Sequence, residues 1–157
     1  MRNLGPALLR TTGIASIVFT IGTALHAFVI INDQTLHRMF ELAGAEPQPG
    51  FLTAFRAVGC VYVVGNAIGV LALTAKPRTW LFWVVLAVNA TQAAGVGMVP
   101  PEMWTAVREE FGVPGMLPSL VTDGGALVLV VVLVTASIAA KSVWAQRSPL
   151  GTKPSGP

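Results

Sequence analysis

Four long apolar runs constrain this chain more than any other feature of its sequence. They cover residues 11–31, 53–75, 79–99 and 120–140. A helix rises 1.5 Å per residue, so about 20 apolar residues cross a hydrocarbon core about 30 Å thick. Inside that core the backbone N–H and C=O groups must bond within the helix. We therefore expect an all-α fold, an integral membrane bundle of four transmembrane helices.

The composition agrees with a surface that faces lipid. Of the 157 residues, 54% are hydrophobic and only 11% are charged, and the mean hydropathy is +0.69. A soluble domain carries about 25% charged residues. We expect a single domain over residues 1–147 and a disordered cytoplasmic tail over residues 148–157, which are rich in Pro, Gly and Ser. The first run exceeds a signal-peptide core in length and lacks a good cleavage site, so we expect an uncleaved anchor.

The distribution of charge predicts the orientation. Most basic residues fall on one side of a four-span topology, and Lys and Arg prefer cytoplasmic loops, so both termini are expected inside a bacterial inner (plasma) membrane. All of the acidic residues fall on the other side. The basic pI of about 9.6 then reflects topology and gives no support for nucleic-acid binding. The predicted inner basic residues are Arg2, Arg10, Lys76, Arg78, Lys141, Arg147 and Lys153.

Each of the two outer loops predicts a short amphipathic helix. An Asn-Asp pair at 32–33 caps the first of them, and Gly44 ends it. A Pro-Pro pair at 100–101 precedes the second, which Gly112 ends. The Pro-containing stretch 113–119 is expected to lead irregularly to the fourth helix. Both short helices are amphipathic enough to lie on the membrane surface as a lid.

Small residues on the second and third helices predict close helix packing. Gly65 and Gly69 form a G-x-x-x-G pair, and Ala87, Thr91 and Gly95 follow one another at four-residue spacing. Small side chains let two helix backbones approach closely. This pattern is compatible with packing inside one chain and with self-association. The expected partners are membrane lipids and either other integral membrane proteins or a second copy of the chain.

Six polar residues stand in or beside the apolar runs and are the candidate ligand-binding set. A polar group in hydrocarbon needs a partner, so such side chains face the bundle interior or a cavity. Their depths place them in the predicted outer half. We expect one outward-opening polar pocket that holds a lipid, a quinone or a similar amphiphile. The set is His26, Arg56, Asn66, Asn89, Gln92 and Asp123.

Each of these residues also has a simpler interpretation. The three amide side chains could join helices by hydrogen bonds. Asp123 could start the fourth helix or pair with Arg56. Arg56 could extend to lipid phosphates. His26 could be a neutral side chain bonded to a neighbouring helix, or it could carry a proton.

Metal and catalytic motifs give little support for an enzyme. Asp33 and His37, one helical turn apart, could share a metal or a proton, but an exposed ion pair explains them as well. The sequence contains no H-E-x-x-H, C-x-x-C, G-x-S-x-G or phosphate-binding glycine motif. Cys60 is the single cysteine, so no intramolecular disulfide can form. We expect no catalytic set, no metal and no cofactor.

The layout resembles that of the DoxX-like group of small bacterial four-helix membrane proteins. The local likeness lies in residues 13–26 (GIASIVFTIGTALH) and in residues 55–65 (FRAVGCVYVVG). The chain departs from the group at residues 32–33, where Asn-Asp stands near the place of a Lys that often follows the His-bearing part of the first helix. The resemblance implies a partner subunit of a membrane redox or stress-response assembly.

Three functions are compatible with these observations. The first is a non-enzymatic accessory or interaction subunit with a pocket for an amphiphile. The second is a membrane-embedded enzyme that acts on a lipid-soluble substrate, with His26 or Asp123 as general acid or base and Arg56 holding an anionic headgroup. The third is a small transporter, which is disfavoured because residues 11–31 contain no acid and the two halves show no inverted repeat.

Overall fold

The computed structural model of the protein describes residues 4–74 and 76–146, and within them it contains helices and no β-strand. The all-α prediction is therefore confirmed, while the predicted disordered tail lies outside the described residues. The helices are α1 (Gly5–Leu25), α2 (Asp33–Ala43), α3 (Phe51–Gly69), α4 (Thr79–Ala93), α5 (Gly95–Met98), α6 (Pro101–Ser119) and α7 (Gly125–Ala140).

Four helical segments are long and apolar enough to cross a membrane, which suggests a multi-pass membrane protein. The second and third segments begin and end within two residues of the predicted runs, and the first begins six residues earlier than predicted. The π-helical turn His26–Ile30 extends α1, and a 3-10 turn extends α3. The four segments are Gly5–Ile30, Phe51–Leu73, Thr79–Met98 and Pro101–Ala140.

The fourth segment differs from its prediction, because the chain is helical where an irregular stretch was expected. The break is confined to Gly112, whose φ of 66° and ψ of −165° are non-helical. Helix resumes at once with Pro114 in its first turn, where the missing N–H of proline has no intrahelical partner to lose. The π-helical turn Leu120–Gly124 then joins α6 to α7. Asp123 consequently lies inside a continuous helical segment, and its interpretation as a helix-start residue is wrong.

The helices form a closed ring in chain order. α1 packs against α3, α3 against α4, α4 against α7, and α7 against α1. At one end of the ring an apolar core is closed by Trp144, which is fully buried and packs edge-on against Phe82. The indole Nε1 of Trp144 donates a hydrogen bond of 2.8 Å to the carbonyl oxygen of Arg78. This bond ties the chain after α7 to the start of α4.

At the opposite end, α2 packs against α6 and forms a cap over the ring. The side chain of Asn32 accepts hydrogen bonds from the backbone N–H groups of Gln34 and Thr35 and so starts α2. Gly44, with a φ of 62°, ends it. The guanidinium Nε of Arg38 lies 2.7 Å from a carboxylate oxygen of Glu109 across the two helices. The buried residues of this cap core are Ile30, Ile31, Leu36, Met39, Phe40, Met103, Ala106 and Val107.

The outward faces of the ring are apolar on α1, α3, α4 and α7. Exposed branched aliphatic and aromatic side chains cover these faces, a pattern that in water would mark a very large interaction surface. In a bilayer the same faces would meet lipid tails. They include Ile14, Ile17, Val18, Ile21, Val58, Val61, Val64, Trp80, Trp83, Leu127, Val128 and Val131.

We expect the substitution Gly69→Ala to destabilise the bundle. A Cβ atom at Gly69 would collide with the Ser16 hydroxyl of α1, and it would lie 3.4 Å from Cγ2 of Val85 on α4. Overpacking of this kind costs about 1–3 kcal/mol of unfolding free energy. The matched control is Gly124→Ala, where nothing lies within 4 Å of an added Cβ. Circular dichroism during reversible unfolding in mixed micelles measures both variants, and an equal effect of the two would contradict the close contact at Gly69.

Candidate functional site: a polar layer, a His–Asp pair and a cap cavity

Between the two apolar cores the bundle contains a layer of hydrogen-bonded polar side chains. The amide Nδ2 of Asn66 on α3 donates to Oε1 of Gln92 on α4 at 2.8 Å. Nε2 of Gln92 in turn donates to the hydroxyl of Thr23 on α1 at 3.1 Å. Asn66 is 1% exposed and Gln92 is 5% exposed. We call these three residues the polar layer, and it joins three of the four ring helices.

Asn89 lies close in sequence to this layer but does not join it. Its Nδ2 donates to the carbonyl oxygen of Val85 within α4 at 2.8 Å, and its Oδ1 is buried with no hydrogen-bond partner. Oδ1 of Asn66 and the hydroxyls of Thr12 and Ser16 are likewise buried without a partner. The interior therefore offers hydrogen-bond acceptors on three helices, which suit water or the donor groups of a ligand.

His26 and Asp123 both lie in π-helical turns. His26 begins the turn that follows α1, and Asp123 lies in the turn between α6 and α7. The Asp123 carboxylate accepts hydrogen bonds from Ser119 Oγ at 2.8 Å and from Thr122 Oγ1 at 3.2 Å. Among the described residues no ion pair within 4 Å joins this carboxylate to His26, so their electrostatic interaction acts over a longer distance. Single π-helical turns insert one residue into an α-helix and occur frequently at functional sites.

The surroundings of His26 leave one of its ring atoms unsatisfied. Nδ1 is buried and has no hydrogen-bond partner, and the ring meets the edge of Phe55 on α3 with 5.8 Å between ring centroids. An imidazole and a carboxylate in one region are the groups that a proton exchange requires. Sequence reasoning identified both residues but missed the π-helical turns, because runs that are apolar on nearly every side have no hydrophobic periodicity for an inserted residue to shift.

Arg56 lies elsewhere, on the wall of a cavity under the cap. This cap cavity has a volume of about 610 Å³ and lies between α2, the link to α3 and the first turns of α3. Arg56 is half-buried, and its Nε is buried with no hydrogen-bond partner. The lining residues are Asp33, Leu36, His37, Phe40, Pro47, Gln48, Pro49, Gly50, Phe51, Leu52, Thr53 and Arg56.

The six predicted site residues thus occupy separate places. Two of the amides meet in the polar layer, and the third bonds to its own helix. His26 interacts with Asp123, and Arg56 lines the cap cavity together with Asp33 and His37. Among the ion pairs of the described residues none joins Arg56 to Asp123, so the suggested pairing of these two is not part of this structure.

Of the predicted pair Asp33 and His37 on α2, His37 contacts Glu41 at the surface. Nε2 of His37 lies 3.3 Å from Oε1 of Glu41. The hydrogen bond to Glu109 raises the pKa of the Arg38 guanidinium above its usual range. Within residues 4–74 and 76–146, no group of three or more His, Cys, Asp or Glu side chains is placed to hold a metal ion.

The predicted packing residues divide between the interior and the surface. A Cβ added to Gly65 would lie 2.7 Å from Cγ2 of Val88, so both glycines of the G-x-x-x-G pair contact neighbouring helices of the same chain. A Cβ added to Gly95 would lie 3.2 Å from Oδ2 of Asp123. Ala87 and Thr91 are exposed on the outer face of α4. Close packing of another helix against Ala87 and Thr91 stays a prediction.

The chain matches no protein-family model, no curated protein and no solved structure. The resemblance to the DoxX-like group therefore stays a prediction that rests on the four-helix layout and on residues 13–26 and 55–65. The function has to be argued from the geometry of this chain.

We expect the polar layer to stabilise the bundle. The substitution Gln92→Ala removes one hydrogen bond in each direction and should lower the unfolding free energy by about 0.5–2 kcal/mol. A double-mutant cycle with Asn66→Ala should give a coupling of at least about 0.5 kcal/mol. The control Thr91→Val, next to Gln92 but exposed, should change stability by less than about 0.5 kcal/mol. If the effects of the two substitutions at Asn66 and Gln92 on the unfolding free energy were strictly additive, their hydrogen bond would contribute nothing to stability.

Proposed function

We propose that this protein is a multi-pass protein of the bacterial inner membrane, with both termini in the cytoplasm, and that it serves as an accessory subunit that holds an amphiphile in its cap cavity. The proposal rests on the position of Arg56. Its Nε is buried without a partner on the wall of a cavity of about 610 Å³. A guanidinium with a free donor favours an anionic group such as a carboxylate or phosphate.

Membrane insertion is supported by the four apolar segments and by the apolar outer faces of the ring. The orientation is supported by the charges at the two ends. Arg10, Lys76 and Lys141 belong to the end that Trp144 closes, whereas the cap carries the acids of α2 and α6. Because Lys and Arg favour the cytoplasm, the cap would face outward.

The cap cavity has the chemistry of an amphiphile site. Leu36, Phe40 and Phe51 give it apolar wall, and Arg56 supplies a cation at the level where α3 begins. A site of this size suits a small organic molecule, and its lining combines five polar or charged residues with seven others. Asp33 and His37 lie on the same wall. The Asp33 carboxylate would repel an anionic headgroup and so favour its placement beside Arg56. The DoxX-like resemblance would make the protein part of a membrane redox or stress-response assembly.

Loss of the Arg56 cation should weaken binding of an anionic amphiphile. The probe is cis-parinaric acid, a fluorescent carboxylate amphiphile, titrated against the full chain in neutral detergent. Arg56→Gln should raise its Kd at least about tenfold, because a charged hydrogen bond contributes about 1.5–3 kcal/mol. The matched control is Arg108→Gln, an exposed arginine that does not line the cap cavity. Equal affinities of the wild type and Arg56→Gln would refute the proposed role of the cavity.

The subunit role should depend on the small-residue surface of α4. Ala87 and Thr91 are exposed and lie one turn apart, so a partner helix could approach them closely. Ala87→Leu should release a partner protein or second copy that co-purifies from native membranes in neutral detergent, without changing the unfolding free energy of the chain. Val131→Leu, at an exposed position on α7, is the control. Co-purification of no stoichiometric protein with the wild type would contradict the subunit role.

A further inference from the structure

The end of the bundle closed by Trp144 has a second recess, which is separate from the cap cavity. It has a volume of about 420 Å³ and lies where the chain turns from α3 into α4. Six residues line it: Leu71, Thr74, Lys76, Arg78, Trp80 and Leu81. We call it the basic groove, and we propose that it binds the phosphate headgroup of an anionic phospholipid of the cytoplasmic leaflet.

The charge of the groove is positive and uncompensated. Lys76 and Arg78 are both exposed, and within the described part of the chain neither forms an ion pair. No acidic residue lines the groove. An ammonium and a guanidinium two residues apart suit a phosphodiester, which accepts hydrogen bonds from both. Basic pockets between transmembrane helices on the cytoplasmic side bind anionic lipid headgroups by this chemistry.

The start of α4 adds to this positive field. α4 begins at Thr79 with Arg78 as its N-cap, and no side chain caps its first N–H groups. The N-terminus of a helix of this length carries a partial positive charge and free amide donors. Both favour a phosphate oxygen near Lys76 and Arg78.

The groove also continues into surface suited to acyl chains. Leu71 is 43% exposed and Trp80 is 47% exposed, and Trp83 lies one turn further along α4 with 56% exposure. Tryptophan side chains are enriched at the level of lipid headgroups, where the ring meets both water and hydrocarbon. A headgroup held by the two cations would therefore place its chains along the apolar faces of α3 and α4. This continuity favours a membrane lipid over free phosphate.

The groove is built on a fixed backbone. The indole of Trp144 donates its hydrogen bond to the backbone carbonyl of Arg78, so the position of this residue does not depend on its side chain. Substituting the Arg78 side chain would leave that bond in place. The inference rests on the proposed membrane insertion and orientation, and it is independent of the cap cavity.

The test uses the full chain in nanodiscs of phosphatidylcholine with about one-fifth phosphatidylglycerol, followed by native mass spectrometry of the lipids that remain bound. The wild type should retain phosphatidylglycerol in preference to phosphatidylcholine. Lys76→Gln combined with Arg78→Gln should reduce that preference by roughly fivefold for each basic residue removed. Both substitutions lie outside the packed core, so the variant should fold like the wild type.

The matched control removes two basic residues from the same end of the bundle but outside the groove. Arg10→Gln combined with Lys141→Asn changes the net charge by the same amount. Asn is chosen because Lys141 has a φ of 52°, a conformation that Asn tolerates. The control should keep the preference for phosphatidylglycerol. An equal loss in both double variants would reduce the effect to general surface charge and overturn the proposal.

Two further outcomes separate the alternatives. Displacement of phosphatidylglycerol by millimolar inorganic phosphate would assign the groove to free phosphate and overturn the lipid assignment. Failure of the chain to enter nanodiscs at all would refute the proposed membrane insertion. A chain that inserts and binds both lipids equally would refute only the groove.

Discussion

The hydrogen bonds from Asn66 through Gln92 to Thr23 set the register of the ring. Polar side chains in an apolar bundle must find partners, and each of these three has one on a different helix. Rotation of α4 by one residue would turn Gln92 by about 100° and break both bonds. The close contact of Gly69 with Ser16 acts in the same direction, because it fixes the distance between α3 and α1. Together they fix the register of α4 and the spacing of α3 and α1.

The polar layer separates the protein into two ends with different chemistry. Towards Trp144 the core is apolar, and the surface beyond it is basic. Towards the cap, α2 and α6 carry acids that pair with Arg38 and Gln34, and the cap cavity opens beside them. Under the proposed orientation, the basic end would face the cytoplasm and the cap would face the outside. The two proposed binding sites follow the same division, with Arg56 under the cap and Lys76 and Arg78 at the basic end.

An accessory subunit does not require His26 and Asp123. Each lies in a π-helical turn, and the Asp123 carboxylate is oriented by Ser119 and Thr122. These two hydroxyl donors hold the carboxylate in place. This geometry is the physical basis on which the membrane-embedded enzyme stays an alternative hypothesis. The amphiphile that the cap cavity is proposed to hold would lie on the same side of the polar layer as this pair.

The sequence by itself determined the number of long apolar helices and the approximate bounds of the second and third, because these apolar runs of about 20 residues contain no proline that would end a helix. It also determined the first cap helix, since Asn32 and Gly44 satisfy the N–H and C=O groups at its ends. It identified Asn66, Gln92, His26, Asp123 and Arg56 as unusual, because polar residues are rare in such runs.

Only the tertiary structure decided how those residues are grouped. Depth along each helix suggested one pocket, but grouping depends on helix rotation and on the order of helices around the ring, which no single helix encodes. The same holds for Asp123, whose neighbours depend on Gly112 breaking α6 so that Pro114 can begin a new helical stretch. The cap cavity and the basic groove each combine residues from two helices and a link. Each recess lies between elements that are adjacent in the chain, so its walls depend on how consecutive helices pack against each other.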